Sequence, residues 1–153
     1  MSLPPVIPIA HEPDYRTASI GRYAEGQFYA AIQGAHRDND REPDRERARI
    51  RWYTYIHLFD HDGRHRGSQV ELIGVAPTLH GDFRERAEDT LSNMLTSLQD
   101  RKFGDIAIRP FWLEHDGVTF GLFDESSPER GGWAELYPDR LGFHEPWDGL
   151  YDT

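Results

Sequence analysis

The chain has 153 residues, with 17 Lys or Arg against 27 Asp or Glu, a formal charge of −10 at pH 7, and no cysteine. That length suits one domain, 1–153, able to bury roughly 70% of its unfolded surface. The missing cysteines exclude disulfides and thiolate zinc sites and favour a cytoplasmic protein, and the acidity opposes direct binding to nucleic acid.

Residues 1–16 hold Pro4, Pro5, Pro8 and Pro13 and show no periodicity, so they predict an extended lead-in tacked down by Ile7, Ile9 and Tyr15. They lack a basic n-region and a long apolar run, so neither a signal peptide nor a membrane anchor is expected. Residues 17–34 predict a hairpin about Ala24-Glu25-Gly26, with Phe28, Ala30 and Ile32 alternating after the turn. Residues 36–49 interleave opposite charges around Pro43 and read as a solvated charged loop. All the basic residues but Lys102 are arginine, as codon usage in a GC-rich genome or selection for bidentate carboxylate or phosphate contacts would produce.

Ala48 to Ala76 predicts a long hairpin. Its first arm is apolar on both faces, with Ile50, Trp52, Ile56 and Leu58 on one and Tyr53, Tyr55 and Phe59 on the other. A strand covered on both sides belongs inside a sheet. Asp62-Gly63 is the expected two-residue turn, because both central residues of a type I′ turn need φ > 0. His57, Asp60, His61, Asp62 and His65 are then five metal-capable side chains within nine residues. With a two-residue turn, however, His57 and His61 share one face while Asp60 and His65 share the other. They converge only across a bulge or a longer loop, so no metal and no cofactor are expected.

Residues 82–99 predict the main helix, with Phe83, Ala87, Leu91, Met94, Leu95 and Leu98 along one stripe. Asp82 and Glu85 resemble a capping box, and Arg101 and Lys102 suit the C-terminal end of the dipole. Residues 105–123 predict a strand, a bend at Pro110, and a hairpin about His115-Asp116-Gly117. The segment 133–153 is aromatic and acidic. From Asp124 onward eight acids face only Arg130 and Arg140. Two readings fit: a partner-binding surface at Glu135, Glu145, Trp147, Asp148, Tyr151 and Asp152, since aromatic anchors with a charged rim compose many protein interfaces, or aromatics packed in the core with acids that keep the protein soluble.

The expected fold is α+β: an antiparallel sheet of about six strands built from hairpins, one main helix packed on one face, and the C-terminal segment wrapping the edge. No nucleophile elbow, phosphate loop or selected carboxylate pair is present, so no catalytic residue is assigned.

Several segments, PVIPIAHEPDYRT (5–17), IGRYAEGQF (20–28), RWYTYIHLFDHDGRH (51–65), FGDIAIRPF (103–111) and WAELYPDRLGFHEPWDGLYDT (133–153), resemble small acidic bacterial proteins labelled formate hydrogenlyase regulatory protein. The resemblance implies a non-catalytic cytoplasmic regulator that opposes a transcriptional activator by protein contact. The expected partner is another protein with a basic surface, with no membrane and no direct nucleic acid. Two other functions fit the residues: a small metal-dependent hydrolase using the His57–His65 turn, and an immunity-type inhibitor of a basic toxin.

Overall fold

The computed structural model describes residues 3–37, 50–76 and 78–153. The charged loop predicted at 36–49 therefore lies, from residue 38 on, outside the described residues. Two hairpins and one short added strand make a five-stranded antiparallel sheet. The strands are β2 (Ile20–Tyr23), β3 (Gly26–Ala35), β4 (Arg51–Phe59), β5 (His65–Val75) and β6 (Lys102–Phe103), in the order β5-β4-β3-β2-β6. β4 is an interior strand, as its two apolar faces require.

On one face lies α1 (Phe83–Thr96). Met94 and Leu95 pack with Phe28, Ala30 and Ile56, while Phe83 meets Trp52 edge to face at 5.7 Å. Thr54 is buried beneath the helix and donates to the Ala87 carbonyl at 3.1 Å. Two details depart from expectation. Asp82 makes no side-chain cap; its carboxylate instead accepts from Arg86 Nε at 3.2 Å. Leu91 is only half-buried, at the margin of the stripe. At the other end Arg101 does reach a terminal carbonyl, that of Leu95.

The other face carries a second sheet rather than a continuation of the first. β8 (Phe111–His115), β9 (Val118–Asp124), β10 (Trp133–Tyr137) and β11 (Leu141–His144) are ordered β11-β10-β9-β8. This corrects the single sheet of about six strands: among the described residues eleven strands form three sheets, with one helix. The cause is stoichiometric. Tyr53, Tyr55 and Phe59 present a full aromatic face, and the next hairpins offer Phe111, Phe120, Leu122, Leu136, Leu141 and Phe143 to cover it. Phe120 is central, 5.6 Å from the Tyr53 ring and 5.1 Å from that of Tyr55. Residues 133–144 are thus core strands, not a strap around an edge.

The third sheet is a ribbon of β1 (Ile7–Ile9) against β7 (Ile106–Ile108), whose four isoleucines are all buried in the same core. Ile7 and Ile9 tack down the lead-in as expected, while Tyr15 is 54% exposed. Gln27 ties this ribbon to the main hairpin. Its side chain donates to the Asp60 carbonyl at 3.1 Å and accepts from the Ala107 amide at 2.8 Å.

A polar group closes the inter-sheet core. Asp139, in the β10–β11 turn, is buried and accepts from Tyr29 at 2.8 Å and Tyr55 at 2.5 Å. Burial pushes its carboxyl up, and the two phenol hydrogen bonds oppose that shift. Arg16 donates to the Asp139 backbone carbonyl. With both carboxylate oxygens and both hydroxyls satisfied, the group positions the turn against β3 and β4.

Candidate functional site

The tip of the main hairpin differs from the two-residue turn. Five residues, 60–64, join β4 to β5. The Asp60 carboxylate accepts from the amides of Asp62 and Arg64, both at 2.9 Å, and Gly63 takes φ +88°. Asp60 therefore shapes the loop through its own side chain, which the Asp-Gly signal alone does not reveal. The pairing also slips: Leu58 opposes Gly67 but Phe59 opposes His65, leaving Arg66 as a bulge residue. His65 is thereby moved to the face of His57. The expected separation of these two histidines is corrected by this bulge.

His57 and His65 lie 6.1 Å apart and share one hydroxyl. Ser68 Oγ is 2.6 Å from His57 Nδ1 and 2.8 Å from His65 Nε2. His57 is fully buried beside Phe111, Tyr55 and Phe120, and its Nε2 has no hydrogen-bond partner. Burial, then the nearby His65, push its pKa down to about 3. His65 is also lowered, chiefly by burial. Asp60 is engaged in the loop, and His61 is exposed. Among the described residues no three His, Cys, Asp or Glu side chains gather as a metal-holding set.

The C-terminal residues divide by role. Glu135 is buried. Its carboxylate accepts from Trp133 Nε1 at 3.0 Å and from Arg140 Nε at 2.5 Å, so its charge is neutralised within the chain. Trp147 and Tyr151 are half-buried against the core, and Tyr151 lies 3.1 Å from the buried Thr17 hydroxyl. Glu145, Asp148 and Asp152 are exposed. With His144, Pro146, Leu150 and Tyr151 they line a concavity of about 360 Å³. Leu150 is 62% exposed there, and Asp152 is held in place by two backbone hydrogen bonds to Gly142 at 2.8 and 2.9 Å.

This concavity sits at the β11 margin of the second sheet. Strand alternation points Val118, Phe120, Leu122, Ala134, Leu136, Leu141 and Phe143 inward. It points Trp112, Phe123, Trp133, Tyr137 and His144 outward. The apolar core of the described residues falls into two clusters, one between the sheets and one under α1, and neither includes this outer face. Trp112 is 62% exposed. Trp133 stacks on His144 at 4.9 Å and lies beneath the Arg130 guanidinium at 4.4 Å. Its indole crosses Gly142, where an added Cβ would come within 2.2 Å of the ring. Trp112 and Phe123 are absent from the sequence-based assignment, as is Ser68. Period-two alternation of Val118, Phe120 and Leu122 was the available signal for Phe123, since it sends the residues between and beyond them to the opposite face.

Among the described residues no helix is long and apolar enough to cross a membrane. No protein-family model, curated protein or solved structure matches the chain.

Proposed function

We propose that this is a non-catalytic cytoplasmic regulatory protein that works by contact with a basic protein surface. The supporting observation is the outer face of the second sheet. It carries Trp112 and Trp133 with His144, and at its β11 margin Glu145, Asp148 and Asp152 surround the exposed Leu150. An apolar, aromatic centre with a charged rim is how protein interfaces are composed, and the acids match a partner of opposite sign. The resemblance to formate hydrogenlyase regulatory proteins supports the same reading, and an immunity-type inhibitor of a basic toxin would use the same surface.

The test is charge reversal of Glu145, Asp148 and Asp152 to lysine beside Trp112→Ala. Association with a cytosolic partner captured by wild type is followed at low and high salt. The reversed variant should associate more slowly and lose the salt dependence, because complementary charge acts mainly on the on-rate. Trp112→Ala should speed dissociation. Equal association rates for wild type and the reversed variant at low salt would remove the proposal.

A further inference from the structure

The middle of the same outer face holds a different feature. Phe123 and Tyr137 sit on neighbouring strands with ring centroids 5.7 Å apart and planes at 73°, forming a corner. The corner opens into a concavity of about 280 Å³ lined by Thr119, Phe123, Glu125 and Tyr137. Glu125 Oε2 accepts from the Tyr137 hydroxyl at 2.5 Å, which fixes a carboxylate at its lip. Gly121 lies in the row between Tyr137 and Trp112, pairing with both. It takes φ +145°, and a Cβ there would come within 2.2 Å of the Phe111 carbonyl oxygen, so no side chain stands at this position beside the corner. Glu114 pairs with Thr119 and adds a second exposed carboxylate next to the concavity.

We infer that this concavity binds an alkylated ammonium group, of the trimethylammonium kind, in the corner formed by the Phe123 and Tyr137 rings and against the Glu125 carboxylate. Ring faces carry negative quadrupole potential and attract cations, above all those with low hydration cost. A bare ammonium would leave hydrogen-bond donors facing carbon, whereas methyl groups make contact with both rings. An anion would meet Glu125 and Glu114, and a neutral apolar group would leave the carboxylate unused. The volume lies just under the roughly 300 Å³ at which drug-sized pockets begin, which suits a headgroup. One of the two rings already accepts positive charge from within the chain: the Arg140 guanidinium lies 5.1 Å over Tyr137. Arg140 is paired with Glu135 at 2.5 Å, and Arg130 reaches Glu125 Oε1 only at 3.9 Å, so no tight ion pair closes off the Glu125 carboxylate.

The inference is independent of the partner reading, which rests on Trp112, Trp133 and the acidic β11 margin and not on this corner. The experiment is a titration with choline, followed by the aromatic proton resonances of the folded protein. A parallel titration uses 3,3-dimethylbutan-1-ol, choline's uncharged carbon isostere. Choline should shift the Phe123 and Tyr137 resonances saturably in the millimolar range, and the alcohol should not. Phe123→Leu, which keeps apolar bulk, should weaken choline by about 5- to 30-fold. Glu125→Gln, which keeps an acceptor for the Tyr137 hydroxyl, should weaken it by a similar factor, and Asp148→Asn should leave it unchanged. A glycine-flanked Nζ-trimethyllysine peptide separates the two sources of this chemistry. Binding tighter than choline supports an ammonium carried by a protein, and binding no tighter supports a free molecule. Equal shifts with choline and the alcohol, or full choline affinity in both Phe123→Leu and Glu125→Gln, would overturn the inference. Loss of partner binding in the Glu145, Asp148 and Asp152 reversal would leave it untouched.

Discussion

His57 makes the protein sensitive to acid in a way that one substitution isolates. Its imidazole is fully buried and its pKa falls from 6.5 to about 3. The unfolded chain therefore takes up a proton well before the folded one does. A depressed folded pKa stabilises the native state fully above 6.5, and this stability drains away as pH falls toward 3. Each pH unit below 6.5 removes about 1.4 kcal/mol. The loss is about 2 kcal/mol at pH 5 and about 3 kcal/mol at pH 4, large fractions of a typical domain stability. Asp139, whose buried carboxyl is pushed up, gains stability as pH falls, and His65 loses it as His57 does. Both groups are common to wild type and to His57→Leu, so the difference between these two proteins reports His57. At pH 8 the leucine should lie within about 1 kcal/mol of wild type. It gives up the Ser68 hydrogen bond but also removes the unpartnered Nε2 from among the aromatic rings. At pH 5 it should be the more stable protein by about 2 kcal/mol. Urea denaturation followed by tryptophan fluorescence at the two pH values measures both. A stability difference that stays constant from pH 8 to pH 5 would refute the buried, neutral imidazole.

Two further outcomes follow from the core. Asp139→Ala leaves the Tyr29 and Tyr55 hydroxyls buried without their acceptor and should cost about 3 kcal/mol or more, while Asp139→Asn should cost less, as chemical denaturation would show. Leu95→Ala should cost about 2–5 kcal/mol and Leu91→Ala clearly less, since Leu95 is buried and Leu91 only half so. Equal denaturation midpoints for these two helix variants would contradict the packing of α1.

The elements were legible wherever alternation was clean. β4, the β8–β9 hairpin and α1 stand close to where periodicity puts them, because each buries one regular face. What periodicity does not encode is which faces meet. The sequence shows that Tyr53, Tyr55 and Phe59 need a cover, but not that Phe120, Leu136 and Phe143 supply it from a separate sheet. In the segment 133–153 the aromatic and acidic composition dominates the sequence. In the strands, the small pattern decides: Ala134 and Leu136 turn inward, and the conspicuous Trp133 and Tyr137 turn out. The hairpin tip departs from its local turn signal for a related reason. Asp62-Gly63 carries a strong local turn signal, yet Asp60 hydrogen-bonds two loop amides and enlarges the loop.

That enlarged loop and its bulge explain how a solvated turn and a buried imidazole coexist in nine residues. β5 is the outer strand of its sheet, and unpaired strand edges invite association with other chains. Its pairing is broken twice, at Arg66 and again at Ile73, between Gly74 opposite Trp52 and Leu72 opposite Tyr53. Bulges and an exposed arginine blunt such an edge. The first bulge has a second effect. It swings His65 over the end of the inter-sheet core, where it stacks on Phe111 at 4.7 Å. Ser68 then links it to His57, so the polar atoms at this corner face one another while the rings seal the core behind them. The two bulges leave β5 a poor template for a partner strand.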